Sequence, residues 1–311
     1  MTVATPTSVP RQDVDDQSGG GRSEATVAWL FILPGAALLL LFIVVPFALA
    51  IWFSFTNQRL ISPLPTRVVG LDNYLGELSD PLFWRSLWNN FRFAGFVVPF
   101  QTVFALVLAV LVNRKVRGRV FFRTVFFTPI TVVMAAAATI WVLLFNVNGL
   151  VNGFFEVITL GNFSPDWLND PTWAMWAIII VSIWQGVGFQ MLILLAALQD
   201  VPNQLYEAAS IDGAGPWKQF TSVTIPGIRN ALIFVLTVTT ILAMRLFDQP
   251  TLMPSSPGGP LDSTRTTMVH MVDVGFGRQA IGRGSAIAVI FFVIVLVLTL
   301  IQRRFLKEEA S

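Results

Sequence analysis

The chain offers few side chains that could do covalent chemistry. It has no cysteine and a single histidine, His270, among 311 residues. Thiolate nucleophiles, cysteine metal sites and paired-histidine metal motifs are therefore excluded. The sequence also lacks the Gly-x-x-x-x-Gly-Lys-Ser/Thr loop that cradles nucleotide phosphates. We predict no catalytic residue, no metal and no cofactor, and we expect His270 to be an ordinary solvated or packed loop residue.

The polar side chains within the apolar segments are amides and hydroxyls. They are Gln101, Thr102, Thr131, Thr139, Ser182, Gln185, Gln190, Thr237, Thr239 and Thr240. Such groups beside aromatic rings suit a neutral polyol, which needs hydrogen bonds for its hydroxyls and flat apolar surfaces for its C–H faces. The same groups can also simply hydrogen-bond one helix to another. Arg245, at a predicted helix end, is more typical of a snorkelling anchor than of a ligand.

Composition identifies an integral membrane protein. Hydrophobic residues make up 54% of the chain, charged residues make up 12%, and the mean hydropathy is +0.69. A bilayer core of about 30 Å needs about 20 apolar residues in a helix. Six segments satisfy this requirement, which predicts an all-α membrane protein with six transmembrane helices. The segments are residues 29–55, 92–112, 125–145, 173–198, 228–247 and 285–301.

The ends of the chain are polar. Residues 1–26 hold too little apolar surface to fold, so we predict a disordered cytoplasmic tail there, followed by a six-helix domain over 27–305 and a C-terminal tail over 306–311. With the N-terminus inside, twelve of the 20 Lys and Arg residues face the cytoplasm and eight face outward. The positive-inside rule therefore predicts a multi-pass protein of the cell membrane with both termini in the cytoplasm. The net charge of +2 then reflects topology, and no nucleic-acid partner is expected.

A polar loop, residues 200–227, joins the fourth and fifth apolar segments. We expect two short helices there, the first capped by Asp200 and ended by Gly213, the second opened by Pro216 and stopped before Pro226. Helices this short are marginal alone in water, so they need a partner surface. A helix that dips Trp217 into lipid is the alternative.

This loop resembles the cytoplasmic loop of the permease subunits of binding-protein-dependent ABC importers. That loop reads Glu-Ala-Ala, three residues, Gly, nine residues, then Ile-x-Leu-Pro. Its fixed positions match Glu207, Ala208, Ala209, Gly213 and Pro226. Further likeness to the carbohydrate, or maltose and glycerol-phosphate, branch lies in Gly70-Leu71-Asp72-Asn73-Tyr74 and in Gly258-Gly259-Pro260, and the resemblance covers about residues 27–305.

The resemblance implies the type I ABC importer permease fold and a specific set of roles. In such an importer the loop docks on a separate ATPase. The implied ATPase-coupling residues are Glu207, Ala208, Ala209, Asp212, Gly213, Phe220 and Pro226. The implied substrate-pathway residues are Ser182, Gln185, Gly186, Phe189 and Thr239. The fifth helix departs from the pattern, because Leu242, Ala243 and Leu246 stand where relatives with a sugar site have Asn or aromatic residues.

The implied function is that of a transmembrane permease subunit that forms half of the pathway for a sugar or related polyol. The implied partners are a second permease subunit, two ATP-binding subunits that hydrolyse the ATP, an extracellular solute-binding lipoprotein and membrane lipid. The alternative is a secondary carrier driven by an ion gradient, which would need a carboxylate or histidine at mid-membrane depth. No predicted span has an ionisable residue near its middle. A membrane-embedded enzyme is disfavoured because no His, Cys or carboxylate cluster lies at depth.

Overall fold

The computed structural model describes residues 21–61, 65–113 and 118–308, with side chains described over 26–304 apart from the same two gaps. Residues 1–20 of the predicted N-terminal tail and 309–311 of the C-terminal tail lie outside these ranges, whereas residues 21–26 begin a helix. The described residues are helical or in turns, and the only strand-type pairing among them is an isolated bridge between Thr56 and Val68. The chain forms two compact units, Met1–Leu49 and Ala50–Ser311.

The described residues contain the following helices in chain order. They are α1 (Gly21–Leu39, continued by a π-helical turn, Leu40–Val44, and by Val45–Ser54), α2 (Asp72–Leu78), α3 (Pro81–Asn113), α4 (Arg119–Thr131), α5 (Met134–Leu144), α6 (Leu150–Thr159), α7 (Ala174–Asp200), α8 (Asn203–Ile211), α9 (Pro216–Gln219, continued by a π-helical turn, Phe220–Thr224, and by Ile225–Gly227), α10 (Arg229–Met244), α11 (Asp248–Leu252), α12 (Thr267–Val272, then a π-helical turn, Asp273–Gly277) and α13 (Ile281–Glu308). Five unbroken stretches are long and apolar enough to cross a membrane, and a sixth is bent. The prediction of an all-α protein with six spans is therefore confirmed.

The third span differs from the single helix predicted over 125–145. It consists of α4 and α5, whose axes meet at 101°. Pro129 lies inside α4, and the backbone becomes extended at Val132 (ψ 126°) and Val133 (ψ 133°). Proline removes one backbone donor and crowds the preceding turn, and the β-branched residues that follow favour extended backbone, so the helix breaks there.

The second span starts earlier than predicted. The aromatic run over 81–88 lies outside the predicted segment 92–112 and is the first part of α3 itself. Asp80 Oδ1 accepts a hydrogen bond from the Leu82 N–H (2.8 Å) and caps this start. Phe83 and Leu87 are buried, which means that this end of α3 packs against protein instead of lying flat on lipid.

Two π-helical turns share a local cause. Leu40–Val44 is followed by Pro46, and Phe220–Thr224 is followed by Pro226. A proline ring clashes with the carbonyl four residues earlier, and a π-helical turn widens the backbone at that position. The helical path therefore continues past Pro226 to Gly227, and the expectation that it stops before Pro226 is wrong.

The second unit has two apolar cores, with α3, α7 and α10 contributing to both. One core contains Phe93, Ile178 and Met244, and the other contains Met191 and Val235 among its members. Between the two cores the same three helices place polar residues among apolar ones, including Gln101, Gln185 and Thr239. The unit therefore has an apolar layer, a mixed layer and a second apolar layer along its spans.

His270 is a fully buried member of α12, not an exposed loop residue. Its Nε2 lies 3.3 Å from Glu77 Oε2, and Glu77 is fully buried too. The guanidinium of Arg283, in the first turn of α13, contacts the other carboxylate oxygen of Glu77 at 2.5 Å. This ionic cluster ties α2, α12 and α13 together at the end of the bundle away from loop 200–227.

Candidate functional site

The mixed layer contains a cavity of about 450 Å³. The polar lining side chains belong to three spans and the segment after α10. They are Gln101, Ser182, Gln185, Gln190, Thr239, Arg245, Asp248 and Gln249. Aromatic and aliphatic side chains, including Phe93, Phe189 and Phe247, complete the wall. The lining thus combines hydrogen-bonding groups with apolar surfaces, the mixture that small polar ligands need.

Gln185 forms a hydrogen bond with the backbone at the break in the third span. Its Nε2 donates a hydrogen bond to the Val132 carbonyl oxygen (3.2 Å), which the broken helix leaves without an intrahelical partner. Irregular backbone at membrane depth is tolerated only where protein or a water-filled cavity satisfies its polar groups. Gln185 is half-buried and lines the cavity. The same side chain therefore stabilises the bend by its hydrogen bond and faces the space that a substrate would enter.

Two glycines of α7 allow its neighbours to approach closely. A side-chain carbon on Gly188 would overlap the carbonyl oxygen of Phe126 in α4 and lie 2.7 Å from that carbonyl's carbon. A side-chain carbon on Gly186 would overlap Nε2 of Gln101 in α3. Small residues at helix interfaces let backbones pack at short range in membranes. The cavity wall therefore depends on both glycines.

A hydrogen-bonded chain fixes the orientation of Gln190. The Thr239 hydroxyl donates to the Val235 carbonyl (2.7 Å), so it can only accept from Gln190, whose Nε2 lies at 2.5 Å. A hydroxyl has one proton to donate, which forces the Gln190 amide nitrogen toward Thr239. The Gln190 carbonyl oxygen is buried and has no partner among the described residues. Thr239 thus holds α7 and α10 together at the cavity.

Ser182 and Gln249 form a second polar bridge across the cavity. Gln249 Nε2 donates to Ser182 Oγ (3.2 Å), and Ser182 donates to the Ile178 carbonyl (2.7 Å). Two charged residues also line the space, Arg245 at the end of α10 and Asp248 at the start of α11, and both are exposed. Within the described residues neither forms an ion pair. Among the residues that the structure describes, Arg245 and Asp248 are therefore unpaired charges at the edge of the cavity.

All five predicted pathway residues line this cavity: Ser182, Gln185, Gly186, Phe189 and Thr239. Their roles in transport remain predictions. Sequence reasoning did not assign three further glutamines that line the same space, Gln101, Gln190 and Gln249. The signal for Gln190 was available, because it lies eight residues after Ser182 and so on the same helical face.

Loop 200–227 folds into two short helices that meet at a turn, as predicted. The turn centres on Gly213, whose φ of +77° is left-handed backbone. The Ala214 N–H donates to the Ala209 carbonyl (2.9 Å) and the Gly213 N–H to the Ser210 carbonyl (3.0 Å), which closes the end of α8. This is the usual glycine termination of a helix, in which left-handed backbone is unstrained for glycine, tolerated by Asn and strained for other side chains.

The two helices are braced against each other by side chains. Gln219 Nε2 donates to Ser210 Oγ and to the Ala214 carbonyl, both at 2.9 Å. Tyr206 and Thr224 share a hydrogen bond of 3.0 Å between their hydroxyls. Residues 200–227 therefore form a rigid elbow of two helices. One expected helix cap is wrong. Asp200 ends α7 instead of capping α8, because α7 runs two residues beyond its predicted end and α8 begins only after Pro202.

The predicted coupling residues lie along the outside of this elbow. Glu207, Ala208, Asp212, Gly213 and Pro226 are exposed. Ala209 and Phe220 are half-buried, and Phe220 packs against Trp217 with ring centroids 5.8 Å apart. Trp217 and Ile211 are 76% and 87% exposed. Large apolar side chains beside exposed polar ones indicate an interaction surface.

Sequence comparison decides the family. A sequence model of the family described as "Binding-protein-dependent transport system inner membrane component" matches residues 101–308. The chain belongs to this family. It is a multi-pass permease component of a transport system in the inner membrane, and the matched residues include both the cavity layer of α7 and α10 and the elbow.

Individual permeases of this family are similar along most of their length. The trehalose/maltose transport system permease protein MalF of Thermococcus litoralis is 35% identical over 281 residues, which cover 89% of this chain and 92% of that protein. The sulfoquinovosyl glycerol transport system permease protein SmoG of Agrobacterium fabrum is 33% identical over 284 residues, 91% of each chain. The probable ABC transporter permease protein YurN of Bacillus subtilis is 32% identical over 284 residues, 90% of this chain and 96% of that protein.

The fold of this permease is also found in a solved structure. A chain in the crystal structure of a bacterial ABC transporter involved in the import of the acidic polysaccharide alginate superposes with a TM-score of 0.76, over 93% of this chain and 98% of that chain. The sequence identity is 20%, so this likeness concerns the fold alone.

Proposed function

We propose that this permease forms half of the translocation pathway of an ATP-driven importer, for a sugar or related polyol that an extracellular binding protein delivers. The observation that carries the proposal is the cavity between the two apolar cores, lined by amides and hydroxyls at mid-length of three spans. A second permease subunit would supply the other half of the pathway. Family membership stands against the ion-gradient carrier, because the family is defined by dependence on a binding protein.

The elbow supplies the link to ATP in this proposal. Two separate ATP-binding subunits hydrolyse the nucleotide, and one of them holds the elbow through its exposed surface around Glu207, Gly213 and Trp217. The twelve-to-eight bias of basic residues supports a cytoplasmic elbow and two cytoplasmic termini. Hydrogen bonds of Gln219 and Tyr206 hold the two helices of the elbow together. Movement of the ATP-binding subunit is therefore transmitted to α7 and α10 and does not deform the loop.

The chemistry of the lining supports the sugar assignment. Three amides that are at least half-buried, Gln101, Gln185 and Gln190, can each donate and accept hydrogen bonds, and Phe93 and Phe189 offer apolar faces for sugar C–H groups. The names of two relatives, a trehalose/maltose permease and a sulfoquinovosyl glycerol permease, agree with this class. Substrate specificity would be set largely by the binding protein.

The bend between α4 and α5 offers the moving part of the cycle. In the present conformation Gln185 donates a hydrogen bond to the Val132 carbonyl, which the broken helix frees. A substrate hydroxyl that enters the cavity competes for the same amide. Closure of the ATP-binding subunits would tilt α7 through the elbow and change the separation of α7 from α4. Two packings of such helices, one open to each side, are the expected form of a bistable switch.

Gly213 provides the test of coupling. Gly213→Val places a branched side chain in left-handed backbone, which costs about 1–2 kcal/mol, whereas Gly213→Asn keeps that conformation accessible. Gly215→Val is the matched control, because Gly215 has ordinary backbone (φ −68°) and open space at its side-chain position. We expect Gly213→Val to abolish uptake and binding of the ATPase subunit while membrane insertion stays normal, and both other variants to retain uptake. Normal ATP-dependent uptake by Gly213→Val would refute the coupling role.

The substrate class has its own test. The partner binding protein is screened by thermal shift against a panel of neutral, phosphorylated and sulfonated sugars and polyols, and the hits are then measured for uptake. The same screen includes amino acids, peptides and metal ions as other solute classes. A stabilising sugar that is also taken up supports the assignment. Stabilisation and uptake confined to amino acids, peptides or metal ions would refute it.

A further inference from the structure

Helix α6, in the connection between the third and fourth spans, has an apolar face that nothing in the described unit covers. Leu150, Phe154, Val157 and Ile158 are 77%, 63%, 78% and 62% exposed. Their spacing of four, three and one residues places them on one side of an α-helix. Leu160, just past the helix end, is 89% exposed and extends the same surface. A continuous apolar stripe of this size on a short helix indicates a binding partner.

The opposite side of α6 is held firmly by the protein. Asn152 is fully buried, its Oδ1 accepts from Trp167 Nε1 (2.8 Å), and its Nδ2 donates to the Val147 and Pro165 carbonyls (3.1 and 3.0 Å). Phe155 packs edge-on against Phe163, with ring centroids 5.2 Å apart. The helix therefore cannot roll to hide its apolar stripe.

The contacts of α6 also set its depth in the membrane. Trp167 packs against Phe145, which follows the last residue of α5, with ring centroids 5.3 Å apart. It also packs edge-on against Trp173, which precedes the first residue of α7, with ring centroids 5.2 Å apart. These two aromatic residues mark the ends of two adjacent spans, on the side of the bundle opposite the elbow. The end of a membrane span lies close to the membrane–water interface, so a helix tied to two span ends lies at that depth. Helix α6 is thus fixed at interface level.

The turn that leads into α6 is unusually tight. A side-chain carbon on Gly149 would lie 2.5 Å from the Leu144 carbonyl oxygen and 2.7 Å from that of Leu143. Only glycine fits such a position, so the chain folds back within five residues of the end of α5. The tight turn keeps α6 against the spans and away from the aqueous space beyond them.

The exposed apolar surface of α6 continues that of the third span. Ile140 and Leu143 in α5 and Val147 in the turn are 55%, 69% and 46% exposed, so exposed apolar side chains extend along the chain from the span to α6, with the exposed Asn146 and Asn148 between them. Residues 146–172 contain no Lys or Arg, so attraction to lipid phosphates is not what would hold this segment. Burial of apolar side chains in the region between head groups and acyl chains remains as the driving force.

We propose that α6 is an interfacial anchor whose Leu150–Phe154–Val157–Ile158 stripe is buried in the lipid leaflet opposite the elbow. The anchor would fix the end of the bent third span against the bilayer, so that tilting of α7 changes the bend instead of dragging the whole span. This inference concerns membrane contact only and does not depend on the substrate or on ATP coupling.

Because this chain has no cysteine, each introduced cysteine is the single thiol of the permease and can be labelled specifically within it. The variants Phe154→Cys and Val157→Cys each place one thiol on the stripe. The matched control is Glu156→Cys, which lies on the polar side of α6, where the Glu156 carboxylate accepts a hydrogen bond from Ser164. Each is labelled with an environment-sensitive fluorophore in the assembled importer. The importer is held in nanodiscs of phosphatidylethanolamine and phosphatidylglycerol, with or without lipid carrying a nitroxide near the head-group end of its acyl chain.

We expect the stripe probes at 154 and 157 to emit at shorter wavelength and to lose about half or more of their emission with nitroxide lipid, as shallow burial requires. The Glu156→Cys probe should respond mainly to a water-soluble quencher. Stripe probes that only the water-soluble quencher reaches would overturn the proposal, as would stripe probes shielded from both quenchers by a partner protein. ATP-driven uptake by the unlabelled parent importer is measured separately in proteoliposomes of the same lipids, so that absence of transport with intact lipid quenching would count only against the proposed function.

Discussion

Replacement of Gly188 by alanine should disrupt the cavity wall more than any other single methyl addition to α7. The added carbon would overlap the Phe126 carbonyl oxygen and lie 2.7 Å from its carbon and 3.0 Å from the Phe127 Cα. These atoms belong to the backbone of α4, so they cannot rotate away. Helix α4 must shift as a body, and Ile130, which lines the cavity, shifts with it.

The size of the effect follows from what each neighbour can do. Overpacking against fixed atoms costs about 1–3 kcal/mol, and we expect Gly188→Ala to fall in that range. Gly186→Ala meets the flexible end of Gln101, which can turn aside, so its cost should stay below about 1 kcal/mol. Gly95→Ala in α3 meets nothing within 4 Å and gains helix propensity, about 0.5–1 kcal/mol.

Thermal unfolding of the three purified variants in one detergent measures this order. At roughly 3 °C per kcal/mol, Gly188→Ala should lower the apparent Tm by about 3–9 °C, Gly186→Ala by less, and Gly95→Ala should leave it unchanged or raised. Uptake should fall with Gly188→Ala and persist with Gly95→Ala. A Gly188→Ala variant as stable as Gly95→Ala would show that α4 and α7 do not approach each other in this way.

Two further substitutions test single contacts. Gln185→Ala removes the donor to the Val132 carbonyl and leaves that group unsatisfied, which should cost about 1–3 kcal/mol. It should lower the apparent Tm and impair uptake without loss of the ATPase subunit, and unchanged uptake kinetics would remove Gln185 from the pathway. Glu77→Leu leaves Arg283 and His270 without their carboxylate. Because the Arg283 side chain is 42% exposed, the loss should be about 1–3 kcal/mol, below that of a fully buried pair, and an unaltered Tm would show that the cluster adds no stability.

Much of this architecture could be predicted because a single physical rule governs it. A span needs an unbroken apolar run, so both ends of α7 and α10 could be located to within three residues and those of α1 and α13 to within eight. The helical period places Ser182, Gln185, Gly186 and Phe189 on one side of α7, where the cavity lies. The elbow could be predicted because Gly213 and Pro216 have strong local preferences.

The remaining features depend on contacts between distant parts of the chain. A proline such as Pro129 is tolerated in many membrane helices. The 101° bend is stable because Gln185, 53 residues after Val132, satisfies the freed Val132 carbonyl. The first part of α3 is held by distant residues, because Asn90 donates to the Met244 carbonyl and accepts from the Thr267 N–H. Nothing in the local sequence shows these partners.

Uptake by proteoliposomes that contain the complete importer and its binding protein tests the proposed function most directly. With ATP supplied to the ATP-binding subunits and with no ion gradient, substrate should accumulate against its concentration gradient, and omission of the ATP-binding subunits should abolish accumulation. Accumulation driven by a proton or sodium gradient in vesicles that hold only the permease subunits would contradict an ATP-driven mechanism.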